Sequence, residues 1–230
     1  MEIRVKRLLF VIIILASFSG CAAIHEMPLS RTNTNPVDFN KKSIVIGKIS
    51  IHNKNKFDFQ PSLLEVFVKT NGEDLSFVNP YPIIDFTNPE IIIDPKEVGN
   101  EYLFSFDVEP GVIELSSFIF GIKGFLVNGS GYLPFDQEIE ISKNEIIYIG
   151  DIRVSIVPRK NGEPRAGLVI PLVDQAVTGF SNGTYKVDIH DSYESDISLL
   201  IKKFKQLKGR EIKKMVLPPW EYPKEAINHN

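Results

Sequence analysis

The alternating apolar and polar runs between Tyr102 and Val157 constrain this chain more than any other feature. Tyr102, Phe104, Phe106 and Val108 fall on one side of an extended segment, and Ile113, Leu115 and Ile119 on one side of the next. Phe135, Ile139 and Ile141 oppose Asp136, Glu138 and Glu140 in the same way. A side-chain period of two describes strands with one buried face, so the block must belong to a sheet that covers a core. The run from Ile146 to Val157 is long for a strand, and Gly150 marks where it would bend.

Shorter strand-like runs flank this block at Ser43–Ile51, Leu63–Lys69, Ala166–Val173 and Thr184–His190, with a brief one at Ile91–Ile93. Asn-Gly occurs at 71–72, 128–129, 161–162 and 182–183. This dipeptide suits the positive φ angles of tight hairpins, and such short turns join only antiparallel neighbours. The glycines at 121, 124, 129 and 131 match no phosphate-cradling spacing and read as a mobile hairpin tip. After residue 190 the period changes. Ile197, Leu200, Ile201, Phe204 and Leu207 form one helical stripe, with Asp191 and Glu194 spaced as a capping box and Gly209 placed as its stop. The fold class expected is mainly β: an antiparallel β-sandwich, Ig-like or transthyretin-like, with one C-terminal amphipathic helix packed on it. A helix lying on a membrane is the other reading of the stripe, and its acidic first turn opposes that.

Two segments resemble known families. Phe104-Ser-Phe106-Asp-Val108-Glu-Pro110-Gly111-Val-Ile113-Glu-Leu115 is similar to the F-x-F...PG-x-Y-x-L hairpin of transthyretin-like and carboxypeptidase-regulatory-like domains, with Ile113 where Tyr is usual. The resemblance implies a sandwich and no activity. At the start of the chain, Arg4, Lys6 and Arg7 precede an uncharged run from Leu8 to Ala16, the layout of an export signal. Phe18-Ser19-Gly20-Cys21 resembles the lipobox of bacterial lipoproteins, with Phe18 where Leu is usual. That resemblance implies lipidation of Cys21, which becomes the mature N-terminus, and Ala22 after it favours sorting to the outer membrane of a diderm envelope. The alternative is an uncleaved anchor. The uncharged run from Leu8 to Ile24 would span about 25 Å as a helix, short of a hydrocarbon core of about 30 Å.

Cys21 is the only cysteine, so no disulfide forms and a thioether would consume the one thiol. The organisation expected is a signal peptide at 1–20, a lipidated N-terminus and flexible tether at 21–42, the sandwich at 43–190, the helix and its following segment at 191–217, and a proline-rich tail at 218–230. Trp220 in that tail either packs on the domain or meets a partner. The tether, if flexible, would hold the domain roughly 25 Å from the membrane.

Three of the 26 basic and one of the 29 acidic residues precede Cys21, leaving a mature formal charge of minus 5. Such a balance lacks the basic footprint that nucleic acid demands. His25, His52, His190 and His229 are scattered, and only Asp188 and His190 share a strand face, so no metal or cofactor is expected. No nucleophile elbow occurs, and no enzyme is expected. The function expected is a membrane-anchored envelope lipoprotein with a structural or protein-interaction role. The alternative is an envelope binding module for a glycan, peptide or small ligand. For that module, Tyr81, Phe86, Phe125 and Tyr132, in the stretches Asn79–Pro95 and Gly121–Tyr132, are the candidate contacts.

Overall fold

The computed structural model describes residues 23–30, 38–39, 42–83, 99–123, 127–167 and 176–223. Cys21, Phe86, Phe125, Ile91–Ile93 and most of Ala166–Val173 lie outside the described residues. The described residues are mainly β, with two mixed sheets and one α-helix. The first sheet has the order β1-β4-β3-β7-β8, built from β1 (Ala23–Glu26), β3 (Ser62–Thr70), β4 (Glu73–Val78), β7 (Gly111–Lys123) and β8 (Asn128–Ile141). The second has the order β10-β9-β2-β6-β5, from β2 (Ser43–Asn53), β5 (Tyr81–Pro82), β6 (Asn100–Val108), β9 (Ile146–Pro158) and β10 (Gly183–His190). A short β11 (Lys213–Lys214) joins it alongside β9. One core takes side chains from both sheets. Phe104 of the second sits 5.7 Å from Phe118 of the first, and Phe118 lies 5.1 Å from Phe135.

Parallel pairs correct the expectation of a purely antiparallel arrangement. β1 runs parallel to β4, and β2 and β11 run parallel to β9. Each pair is separated by enough chain to cross over, which short-turn signals cannot register. The Phe104–Leu115 segment is likewise no hairpin. β6 and β7 belong to different sheets, and Glu109-Pro110 leads from one to the other. Proline has no N–H to offer a ladder, so it suits a corner.

Asn71 and Gly72 (φ 50° and 80°) do form the two-residue hairpin between β3 and β4. Gly150 (φ 118°) is the expected bend, a bulge opposite Gly47 that moves the register from Ile46↔Tyr148 to Lys48↔Asp151. Before it, Ile147 and Ile149 face the common core; after it, Ile152, Val154 and Ile156 do.

Residues 23–30 correct the reading of a flexible tether. β1 adds to the edge of the first sheet, Met27 donates its N–H to Val78 O (3.0 Å), and Met27 and Leu29 are fully buried. Leu29 donates its N–H to Ser105 Oγ (2.9 Å) on the outside of the second sheet, so the segment wraps the edge of the body. Two buried side chains of this kind contribute about 1.5–3 kcal/mol each. Met27-Pro28-Leu29 is too short to show periodicity, which hides its role in the sequence.

Helix α1 (Tyr193–Lys203) lies against the second sheet, where Leu200, Phe204 and Leu207 cluster with Ile44, Ile46 and Tyr148. It ends before the expected stop at Gly209. Phe204 leaves helical geometry (φ −120°, ψ 87°) to bury its ring, and a 3-10 turn, Lys205–Leu207, follows. No side-chain cap forms at Ser192; Asp191 accepts the Tyr193 N–H (3.2 Å) and pairs with Lys214 (2.8 Å) instead of completing a capping box. Trp220 packs on the body, its indole N–H bonded to Pro134 O (3.3 Å).

Both sheets share the same two ends. The near end carries the Asn71–Gly72 turn, the 109–110 connection and the 142–145 turn. The far end carries the loop segments 54–61, 159–167 and 176–182.

Candidate functional site

Three regions have chemistry worth weighing: a cluster of charges under α1, the open face of the first sheet, and the far-end loops.

The bulge at Gly150 turns Asp151 toward the helix, onto the same face as Lys48. Lys48 Nζ lies 3.3 Å from Asp151 Oδ2 and 3.1 Å from Asp196 Oδ1 of α1. Tyr148 donates its hydroxyl to Asp196 Oδ2 (2.5 Å), and Arg153 Nε to Asp151 Oδ2 (2.9 Å). Burial opposes the Lys48 charge, but Asp151 and Asp196 outweigh it and hold the ammonium above its ordinary range. Burial, reinforced by Asp196, pushes the Tyr148 phenol far above its usual range. Tyr148, Asp151 and Asp196 are sealed at 0%, 1% and 2% exposure. Two carboxylates meet two cations here, and the chemistry this arrangement supports is a clasp holding α1 on the sheet. Asp196 was invisible in the sequence because it interrupts an apolar stripe, where a charge reads as solvated.

Among the described residues, no comparable helix or charge cluster covers the outer face of the first sheet. A groove of about 560 Å³ crosses it, lined by Ile24, Phe67, Ile119 and Tyr132 together with Glu65, Lys69, Asp74, Ser76, Ser116 and Ser117. Ser76 donates to Glu65 Oε2 (2.9 Å), and Lys69 pairs with Glu114 (2.7 Å) at its border. That bond to Glu114 raises the Lys69 pKa above its ordinary value. Ile24 and Tyr132 are 74% and 50% exposed, an apolar strip beside acceptors and hydroxyls.

The aromatic candidates are not brought together. Tyr132 lines this groove, whereas Tyr81 sits at the edge of the second sheet with its ring 5.2 Å from Phe204 and the Lys203 Nζ 5.4 Å above it. Phe86 and Phe125 lie outside the described residues. Asp188 and His190 occupy the exposed side of edge strand β10, and among the described residues no three metal-binding side chains gather.

The far-end loops are fixed from two sides. Asn53, fully buried, donates from Nδ2 to Phe59 O and Thr178 O (both 2.8 Å), and its Oδ1 accepts the N–H groups of Asn55 (3.2 Å) and Lys56 (2.9 Å). Asn55 donates in turn to Gly179 O (3.0 Å) and Asn182 Oδ1 (2.8 Å). Gly129 and Gly131, read from sequence as a mobile tip, are instead strand residues of β8. A Cβ at Gly131 would come within 2.3 Å of Phe180 and of the Tyr185 hydroxyl, and one at Gly129 within 2.6 Å of Thr178. These glycines let the 176–182 loop press against the sheet.

The two ends differ in charge. Among the described residues, stretches 42–43, 69–74, 107–114, 138–145 and 213–214 carry eight acidic and five basic side chains. At the far end, stretches 53–62, 99–101, 121–123, 127–130, 157–167 and 176–184 carry six basic and three acidic ones. Among the described residues, no helix is long and apolar enough to cross a membrane. No protein-family model, curated protein or solved structure matches this chain.

Proposed function

We propose that this protein is a lipid-anchored component of a bacterial envelope, attached through Cys21, with a structural or protein-interaction role. The observation that carries the reading beyond the lipobox resemblance is the fixed position of residues 23–29. Ala23 pairs with Leu75, so the chain enters β1 from the direction of the Asn71–Gly72 turn. Only Ala22 separates Cys21 from Ala23, a reach of about 7 Å at most. A lipid on Cys21 would hold the near end beside the bilayer and direct the far end outward. A rigid body on so short a leash suits a partner at a defined height, where a long tether would suit a roaming module. The two sheets around one core also favour a β-sandwich of Ig-like or transthyretin-like kind, with α1 on its second sheet.

The test is the mass of the protein recovered from membranes, followed by in-cell crosslinking of wild type and Cys21→Ala. The reading expects an acylated N-terminus at Cys21 and a discrete partner whose adduct depends on that anchor. A wild-type chain retaining residues 1–20 without acyl groups would refute it.

The groove favours a second reading, an envelope binding module. Tyr132 and Phe67 offer faces to an apolar or sugar-ring ligand, while Glu65 and Asp74 offer acceptors. Ligand and glycan screens of the full chain, with Tyr132→Ala as control, would separate the two. This reading requires a ligand whose affinity falls about tenfold or more in Tyr132→Ala.

A further inference from the structure

The far end is built unlike an ordinary loop cluster. Loop tips are usually the loosest parts of a fold. Here a buried asparagine, a second asparagine and two close-approach glycines hold two loops against each other and against β8. What this frame presents outward is Phe57, 53% exposed, with its carbonyl bonded by Gln60 Nε2 (3.0 Å), and Val177, 39% exposed. Beside them stand Lys54, Lys56 and Lys160, exposed and in no ion pair among the described residues. The Lys56 stem lies over Gly179, which keeps its ammonium on this tip.

Asp58 and Glu163 stand on the same loops, Glu163 within the field of Lys160, but the lysines outnumber them. An exposed apolar anchor within a net-basic rim is the layout of a protein-docking surface, and pre-ordering lowers the entropy lost on binding. We propose that the far-end tip of Phe57, Val177, Lys54, Lys56 and Lys160 docks an acidic polypeptide surface of a partner protein. The charge of the tip selects the sign of that partner, and Phe57 supplies the apolar contact at its centre. A lipid surface fits the same side chains less well, because β1 brings the chain in from the opposite end. The assignment deepens the interaction role proposed above by naming the face and the chemistry of its partner.

The experiment places a photo-crosslinking residue at position 57 or, at the near end, at position 112 of the full chain in its own cells. The crosslinked segment is then sequenced by mass spectrometry. A discrete protein adduct is expected from position 57 and not from 112, on a segment with an excess of Asp and Glu. Lys54→Glu, Lys56→Glu and Lys160→Glu combined should lower its yield about tenfold, while the matching arginine substitutions keep it. These lysines are exposed, and an unchanged melting temperature confirms folding of both variants.

No adduct at 57, equal adducts at 57 and 112, a neutral or basic crosslinked segment, phospholipid as the adduct, or indifference to charge reversal would each overturn the proposal. The anchor is read separately from the N-terminal mass. An unacylated chain with the position-57 adduct intact would defeat the anchoring reading alone.

Discussion

The near and far ends of this body are closed by different physics. At the near end, Asn71–Gly72 turns the chain through its own backbone preferences, and the surrounding ion pairs, such as Lys42–Asp107 (2.9 Å), lie on the surface. At the far end, Asn53 bonds to Thr178, 125 positions away in sequence, and Gly131 admits Phe180 at a distance no other residue would allow. A turn that closes itself can be altered locally. A loop closed by side chains from elsewhere transmits any change into the sheet.

Substitutions at the two ends should therefore differ in cost. Asn53→Ala takes the donor from the Phe59 and Thr178 carbonyls and the acceptor from the Lys56 N–H, while the Asn55 N–H keeps its bond to Ile156 O, and should lower unfolding free energy by about 3 kcal/mol. Chemical denaturation reads this directly, and a loss below about 1 kcal/mol would mean that the loops do not depend on Asn53. Gly131→Ala forces a methyl into Phe180 and Tyr185 and should cost about 2 kcal/mol, measured in the same way. At the near end, Gly72→Ala has open space for its methyl and suffers only from a φ of 80°. Its cost should be about 1 kcal/mol. Lys42→Ala removes one exposed pair and should change stability by about 0.5 kcal/mol or less.

The smallest effect concerns pH at the start of α1. Lys214, and then the Tyr193 N–H, hold the Asp191 carboxyl below its ordinary range. A depressed folded value stabilises the native state above the unfolded carboxylate pKa, and the contribution is lost as pH falls through the folded one. Asp191→Asn should flatten that part of the acid limb in thermal melts between neutral and strongly acid pH. An unchanged acid limb would show that the Lys214 contact is not maintained in solution.

The same contrast marks what was legible in the sequence. Local signals were readable: the alternation of Tyr102–Val108, the Asn71–Gly72 hairpin and the bend at Gly150 all depend on neighbours in the chain. Features that depend on distant residues were not. Gly129 and Gly131 looked like turn glycines because the Thr178 and Phe180 pressed against them lie far along the chain. Pro110-Gly111 is consistent with a hairpin or a corner, and only the partners of β6 and β7 decide between them. Met27 and Leu29 carried no periodicity, yet they bind the N-terminal segment to both sides of the body. Of the aromatic candidates, Tyr132 lies in the groove while Tyr81 packs on Phe204, a separation no residue order reveals. Asn53 offered no signal beyond being a polar residue at the end of an apolar strand.

A lipid on Cys21, as proposed, would hold the body with its near end at the bilayer and its far end away from it. The most direct test is fluorescence quenching by spin-labelled lipid in vesicles carrying the full lipoprotein, with a reporter at position 71 in one sample and position 57 in another. Strong quenching at 71 with little at 57 is the result predicted. Equal quenching at both positions would contradict the claim, since it would show a body that tumbles freely on its anchor.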